Sequence, residues 1–456
     1  MSRRLAIGVA VFFLAAAGLA WAAEPLTLGE AMLLALKENP GLKAAGFGLE
    51  ATEADVAKAR ARFLPQVNFG ETYSFSNNPT QVFMDKLNER RFTAQDFQLD
   101  NLNNPNPYGN FRTGLSLHQP IFQAGQAYLG YQQAKGQREM AGAGVLGARQ
   151  QLLFQVTQAY FALQLTQERL GVVAQSRKIA ADLLKLAQVR FKAGAVVQAD
   201  VLSAEVHLAR LTQEELTARS QVEIARSALD TAVGVRGMGS RPLAPAPREP
   251  ASLPGSLEEL QRTAQEKRPD LHRLELAARV AQQEYDKARL NYLPRMRVVA
   301  EYDVDQRHLF GSSGDSYTVM ALLNFNLFNG LADLAKARES RAKQAQAQEL
   351  KRELADRIRH QVTESTLNLK TAHERLKVAR AAVAQARESL RLIRLRYEGG
   401  LTIMVDLLTA ENASKDAELS RVSALFDTYL AQADLELALG TLAGPAGAQA
   451  AGEGKK

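Results

Sequence analysis

Apolar residues in the second half of the chain return every third or fourth position over a long stretch. Leu369, Ala372, Leu376, Ala379, Val383, Ala386, Leu390, Ile393 and Tyr397 keep this 3,4,3,4 spacing throughout. Such spacing lays one narrow apolar stripe along a helix, the seam of a coiled coil. Leu163, Leu170, Val173, Ala180, Leu184, Ala187 and Phe191 trace a related stripe in the first half, interrupted by Thr166 and Arg177. No proline falls between Pro120 and Pro242, or between Pro294 and Pro445, so neither helix meets a residue that removes a backbone donor. A helix from about Leu331 to Tyr397 would be about 100 Å long at ~1.5 Å per residue, which no compact globule accommodates. The alanines on the seam let neighbouring helices approach closely.

A second pattern is short and alternating. Val67, Phe69, Tyr73 and Phe75 alternate with Asn68, Gly70, Thr72 and Ser74, and Phe111, Thr113, Leu115 and Leu117 with Arg112, Gly114, Ser116 and His118. Met296, Val298, Ala300, Tyr302 and Val304 form a third run, and Tyr317, Val319, Ala321, Leu323 and Phe325 a fourth, whose other face also carries Met320 and Leu322. Strands are expected at about 66–76, 111–119, 295–305 and 316–326. Each is close to the ~9–11 residues a tilted strand needs to cross a bilayer. The alternative is a pair of soluble hairpins packed on helices. Charges on the opposite face and the flanking aromatics Phe63, Phe122, Tyr292 and Phe328 favour a barrel wall with an interfacial girdle. Four strands cannot close a barrel, and open edges are not tolerated in lipid. Several chains must then share one barrel, and three would supply twelve strands.

The two patterns occur twice because the chain is a tandem duplication. KARARFLP from Lys58 recurs as KARLNYLP from Lys287, an offset of 229 residues. RFKAGAVVQADVLSAE (Arg190 to Glu205) lies over RYEGGLTIMVDLLTAE (Arg396 to Glu411) at an offset of 206, and the difference falls on an asparagine-rich insert from Asn77 to Asn110. The first word marks a junction: basic residues at a helix end suit its dipole, and Pro65 and Pro294 end the helical stretch and start a strand. Residues 1–22 read as a secretory signal, with Arg3 and Arg4, an apolar run and Ala20-Trp21-Ala22; the alternative, a membrane anchor, needs a longer run. Residues 23–235 and 257–443 form the two repeats. A linker at 236–256 with five prolines joins them, and 444–456 is a tail of flexible composition.

The net charge of +7 and the pI near 9.4 raise a nucleic-acid role. Yet the bases are interleaved with acids along the helices, the pattern of a solvated face, so no nucleic-acid partner is expected. With no cysteine and six scattered histidines, neither a disulfide nor a metal site is expected, and no cofactor. The only stretch that tempts a catalytic reading is GSSGDS (Gly311 to Ser316), which joins two alternating runs and leads into no helix as a nucleophile elbow would. No catalytic residue is assigned. A soluble periplasmic coiled-coil scaffold is the competing non-enzymatic class.

From LTLGEAMLLALKENPGL to LELALGTLAG, the duplicated LP junctions and the RFKAG and RYEGG words together resemble the TolC-like outer-membrane efflux protein family. The resemblance implies a mainly α fold with a membrane β portion. Long antiparallel coiled-coil helices would form a trimeric α-barrel in the periplasm, and four strands per chain would enter a shared 12-stranded β-barrel in outer-membrane lipid. It implies a homotrimer that carries substrates from an inner-membrane pump and a periplasmic adaptor (membrane fusion protein) to the exterior of a Gram-negative cell. Adaptor contacts are expected at the helix–helix turns Ala193, Gly194, Ala195, Val196 and Val197, and Gly399, Gly400, Leu401, Thr402 and Ile403. The insert would be an external loop. The family's entrance ring of acids falls on Asp406, with Thr409 where the ring's second acid stands. Its closing bond falls on Tyr397 and Asp200, and its further gate arginine on Thr402.

Overall fold

The computed structural model describes residues 25–245, 255–311 and 313–443. The expected signal, the tail and residues 246–254 of the Pro-rich linker lie outside these residues. Each repeat begins with an 11-residue helix, α1 (Leu28–Glu38) or α7 (Leu257–Lys267). Thr27 with Glu30, and Ser256 with Glu259, form reciprocal capping boxes that satisfy the first orphan donors of these helices. A second helix follows, α2 (Pro40–Ala61) or α8 (Pro269–Arg289), with proline where its missing N–H costs nothing. Pro65 then stands between α2 and β1 (Gln66–Ser76), and Pro294 between the 3₁₀ turn after α8 and β3 (Arg295–Gln306).

The insert after β1 is not a loop, as the sequence reading had it, but a small folded unit. It holds α3 (Pro79–Asn88), a 3₁₀ turn and α4 (Leu99–Asn103). Phe83, Phe92 and Phe97 stack edge to face and give it an apolar nucleus. Tyr108 donates to Glu89 at 2.6 Å beneath it, and Arg90 pairs with Asp315 at 2.7 Å across it.

β2 runs from Tyr108 to Phe122, longer at both ends than expected. Pro120 is accommodated because the register with β3 shifts between Pro120 and Phe122, a bulge of the kind that tolerates proline in a sheet. β4 (Gly314–Asn324) starts and ends two residues before the expected bounds, because Gly314 already pairs with Asp305. The sheet order is β1-β2-β3-β4, antiparallel throughout. Its apolar face is open: Phe69 is 64% exposed and Tyr317 81%. Arg112, Glu301 and Asp303 alternate with the apolar residues on β2 and β3, whereas Glu71 shares the apolar face of β1 and accepts from the Thr113 hydroxyl. Among the described residues β1 and β4 each pair on one side only.

From the sheet the chain passes into 67-residue helices, α5 (Gln126–Lys192) and α9 (Ala332–Glu398), each about 100 Å long. They return as α6 (Gln198–Val233) and α10 (Met404–Ala438). The seam residues Leu369, Ala372, Leu376, Val383 and Tyr397 are buried. The two interruptions of the first stripe have partners: Thr166 donates to the Leu163 carbonyl, and Arg177 pairs with the buried Glu215 of α6. Around mid-length, α1, α5, α6 and α10 bury a core that contains Phe161, Phe426 and Tyr429. The start of the linker is strapped to it, since Leu26 and Leu243 form a parallel bridge and Ala244 accepts from Gln164. No helix among the described residues is long and apolar enough to cross a membrane.

Candidate functional site

Apart from the junction prolines Pro65 and Pro294, the residues singled out in the sequence gather at the paired helix tips, at the opposite end of α5 and α9 from the sheet. α5 ends at Ala193, and Gly194 takes φ +73°; its N–H donates to Phe191, and that of Ala195 to Arg190. The second tip repeats this geometry. Gly400 has φ +74° and donates to Tyr397, and Leu401 donates to Arg396. This double bond around a left-handed residue closes the helix end at the least steric cost when that residue is glycine. Gly399, in contrast, is right-handed, so its lack of a side chain answers no backbone demand; Ala193 holds the equivalent place.

Val196 and Val197 lead into α6, and Thr402 and Ile403 into α10. Val197, Leu401 and Ile403 are 61–72% exposed, a row of apolar side chains at the outermost point of the molecule. Asp200 and Asp406 sit in the first turns of α6 and α10, where the helix dipole favours an anion. The Thr402 hydroxyl donates to the Asp406 carboxylate. Thr409 instead turns its hydroxyl back to the Val405 carbonyl at 2.8 Å.

Tyr397 is buried in a cluster with Leu183, Ala187, Ala204, Met404, Leu407 and Leu408. Its hydroxyl forms no hydrogen bond of good geometry. Burial raises the phenol pKa above its ordinary value, Arg190 opposes the shift and Asp200 adds to it. The nearest strong contact is one the sequence reading did not assign. Arg190, on α5, donates to the main-chain carbonyls of Tyr397 at 2.7 Å and Glu398 at 2.5 Å, and its guanidinium lies 4.9 Å from the Tyr397 ring centre. One side chain thus closes the carbonyl end of α9 and ties the two tips together. Its signal was in the sequence, as the arginine that opens both tip words.

Deeper between the returning helices, His207 of α6 meets Glu411 of α10 at 2.9 Å, and Lys415 meets Glu214 at 2.7 Å. Neither pair was foreseen, because their partners lie some 200 residues apart. No group of three or more metal-ligating side chains occurs among the described residues.

The model of the family described as "Outer membrane efflux protein" matches residues 32–235 and 260–441. The chain is 25% identical over 440 residues to the proteases secretion protein PrtF of Dickeya chrysanthemi, covering 92% of this chain and 89% of that one. It is 24% identical over 435 residues to the cobalt-zinc-cadmium resistance protein CzcC of Cupriavidus metallidurans, covering 92% and 91%. A solved membrane protein of Pseudomonas aeruginosa superposes with a TM-score of 0.77 at 21% identity, over 91% of this chain and 93% of that one.

Proposed function

The chain belongs to the outer membrane efflux protein family, and we propose that three copies of it form one export conduit through the outer membrane and periplasm. It is an outer-membrane channel protein with its helical part in the periplasm. The observation that carries the trimer is the sheet: four antiparallel strands with an exposed apolar face and a free edge at each end. Because the strands alternate in direction, β4 of one copy lies antiparallel to β1 of the next. Three copies then close a barrel of twelve with no edge left in lipid. The 67-residue helices of each copy would continue that ring into the periplasm.

The apolar tips at Ala193 to Val197 and Gly399 to Ile403 are the surface we assign to the periplasmic adaptor, which in turn bears on an inner-membrane pump. Cargo is not set by this likeness. Relatives of near-equal identity and coverage are named for protease secretion and for cobalt, zinc and cadmium resistance. Native mass spectrometry of the detergent-extracted protein tests the trimer. Three copies with full strand content are expected, and a monodisperse monomer with full strand content would overturn it. Crosslinks to the adaptor should map to the two tips, and crosslinks confined to the Pro-rich linker would refute that docking.

A further inference from the structure

Arg396 stands 206 residues after Arg190, at the same place near the carbonyl end of its own long helix. Arg190 is fully engaged within the chain, on the Tyr397 and Glu398 carbonyls and against the Tyr397 ring. Arg396 is exposed, and among the described residues its side chain makes no hydrogen bond or ion pair. Its would-be partners are uncovered too. Phe191, the repeat equivalent of Tyr397, is 44% exposed where Tyr397 is 1% exposed. Leu202 is 52% exposed where its equivalent Leu408 is 9% exposed. The Phe191 carbonyl accepts the Gly194 N–H just as the Tyr397 carbonyl accepts that of Gly400. Arg190 adds a side-chain donor at the Tyr397 carbonyl, and among the described residues no side chain does so at Phe191.

Each copy has two tips and one junction between them. In a closed ring of three copies there are six tips and six junctions, of which three lie between copies. We infer that Arg396 makes the trans counterpart of the Arg190 contact, donating to the Phe191 and Lys192 carbonyls of the next copy with its guanidinium over the Phe191 ring. The planar fork suits two adjacent carbonyls and an aromatic face together, which an ammonium does not. This inference rests on the three-copy reading and names the side chain that joins neighbouring tips.

The chain contains no cysteine, so introduced pairs report without background. A bismaleimide long enough to bridge Arg190→Cys and Glu398→Cys within one chain sets the span. Applied to Arg396→Cys with Lys192→Cys, it should give two- and three-chain species on a denaturing gel. Native mass is measured on the same sample. A three-copy particle with no interchain link at this pair overturns the inference and leaves the trimer standing. A monomeric particle overturns both.

A second measurement leaves Arg396 in place. The only tryptophan is Trp21, in the expected signal, so Phe191→Trp is a local reporter of the cleaved chain. Its emission should be shielded from iodide in the trimer, and adding Arg396→Ala or Arg396→Lys should restore quenching. Equal quenching with and without Arg396 would overturn the contact.

Discussion

His207 Nε2 and Glu411 Oε2 lie 2.9 Å apart between α6 and α10, one contributed by each repeat and both almost wholly buried. Losing one partner of a buried, hydrogen-bonded pair leaves the other without water or a bond, a cost of about 3–5 kcal/mol for an ionic pair. Glu411→Ala should therefore lower the thermal midpoint well below that of Glu411→Gln, which keeps an acceptor for the imidazole. Equal midpoints for the two variants would show that the pair contributes little to joining the repeats.

Gly314, at the start of β4, touches the insert so closely that a Cβ there would fall 1.5 Å from the Asn88 carbonyl oxygen. Main chain cannot yield as a side chain can, so Gly314→Ala should push α3 off the sheet while leaving the strand pairing intact. Trypsin should then cut at Lys86, Arg90 or Arg91 before any site in the helices. An unchanged digestion pattern would mean that the insert is not seated on β4 as described.

Asp96 accepts from Lys86 at 2.7 Å and from both the N–H and the hydroxyl of Thr93. These bonds, that with Lys86 foremost, hold its carboxyl down to about 2, against an ordinary 3.8. Depression in the folded state means that the stabilisation is complete above the ordinary value and is lost as pH falls through the depressed one. Protection factors for hydrogen exchange in residues 92–98, corrected for the intrinsic rate at each pH, should hold down to about pH 4 and then fall towards pH 2. Asp96→Asn should lack this step and exchange faster even at neutral pH. A step of the same size in that variant would assign it to another group.

Asp406 would appear three times around a threefold entrance, each carboxylate held by the Thr402 hydroxyl at an exposed helix start. Like charges gathered at a constriction favour counter-ions of opposite sign. Asp406→Ala should reduce cation preference in planar bilayers, most clearly at low salt where screening is weak. Unchanged reversal potentials would remove Asp406 from the entrance.

The long helices and four strands were legible because their burial is one-sided and periodic. Leu369 to Tyr397 and Val67 to Phe75 each show one repeat distance that only one backbone can satisfy. The tip turns were legible from glycine, since Gly194 and Gly400 adopt positive φ. What could not be read was pairing at a distance. The bonds of Arg190 to the Tyr397 carbonyl and of His207 to Glu411 join residues 207 and 204 apart, and no local pattern encodes them. The insert escaped because three phenylalanines across fifteen polar-rich residues have no period, although in space they form one nucleus.

Tyr397 is the side chain at which the proposed entrance can be tested most cleanly. Its hydroxyl is buried within the field of the Asp200 charge and forms no good hydrogen bond. Leaving such a group unpaired costs about 1–3 kcal/mol, and a bond to a charged acceptor contributes about 1.5–3 kcal/mol. A small approach of the second tip to Asp200 would thus be favourable in each copy, and three copies together would bias the entrance towards closure. Phe191 holds the equivalent place in the first repeat, so only one of the two tips can supply this hydroxyl. Tyr397→Phe removes it while keeping the ring under Arg190 and the packing against Leu407. Single-channel conductance should rise for Tyr397→Phe and for Asp200→Ala, and the double variant should match either single one because both remove the same bond. Arg190→Ala provides the contrast, since it frees the carbonyl end of α9 and should also lower thermal stability, which Tyr397→Phe should not. Wild-type conductance in both Tyr397→Phe and Asp200→Ala would show that this bond has no part in closing the entrance.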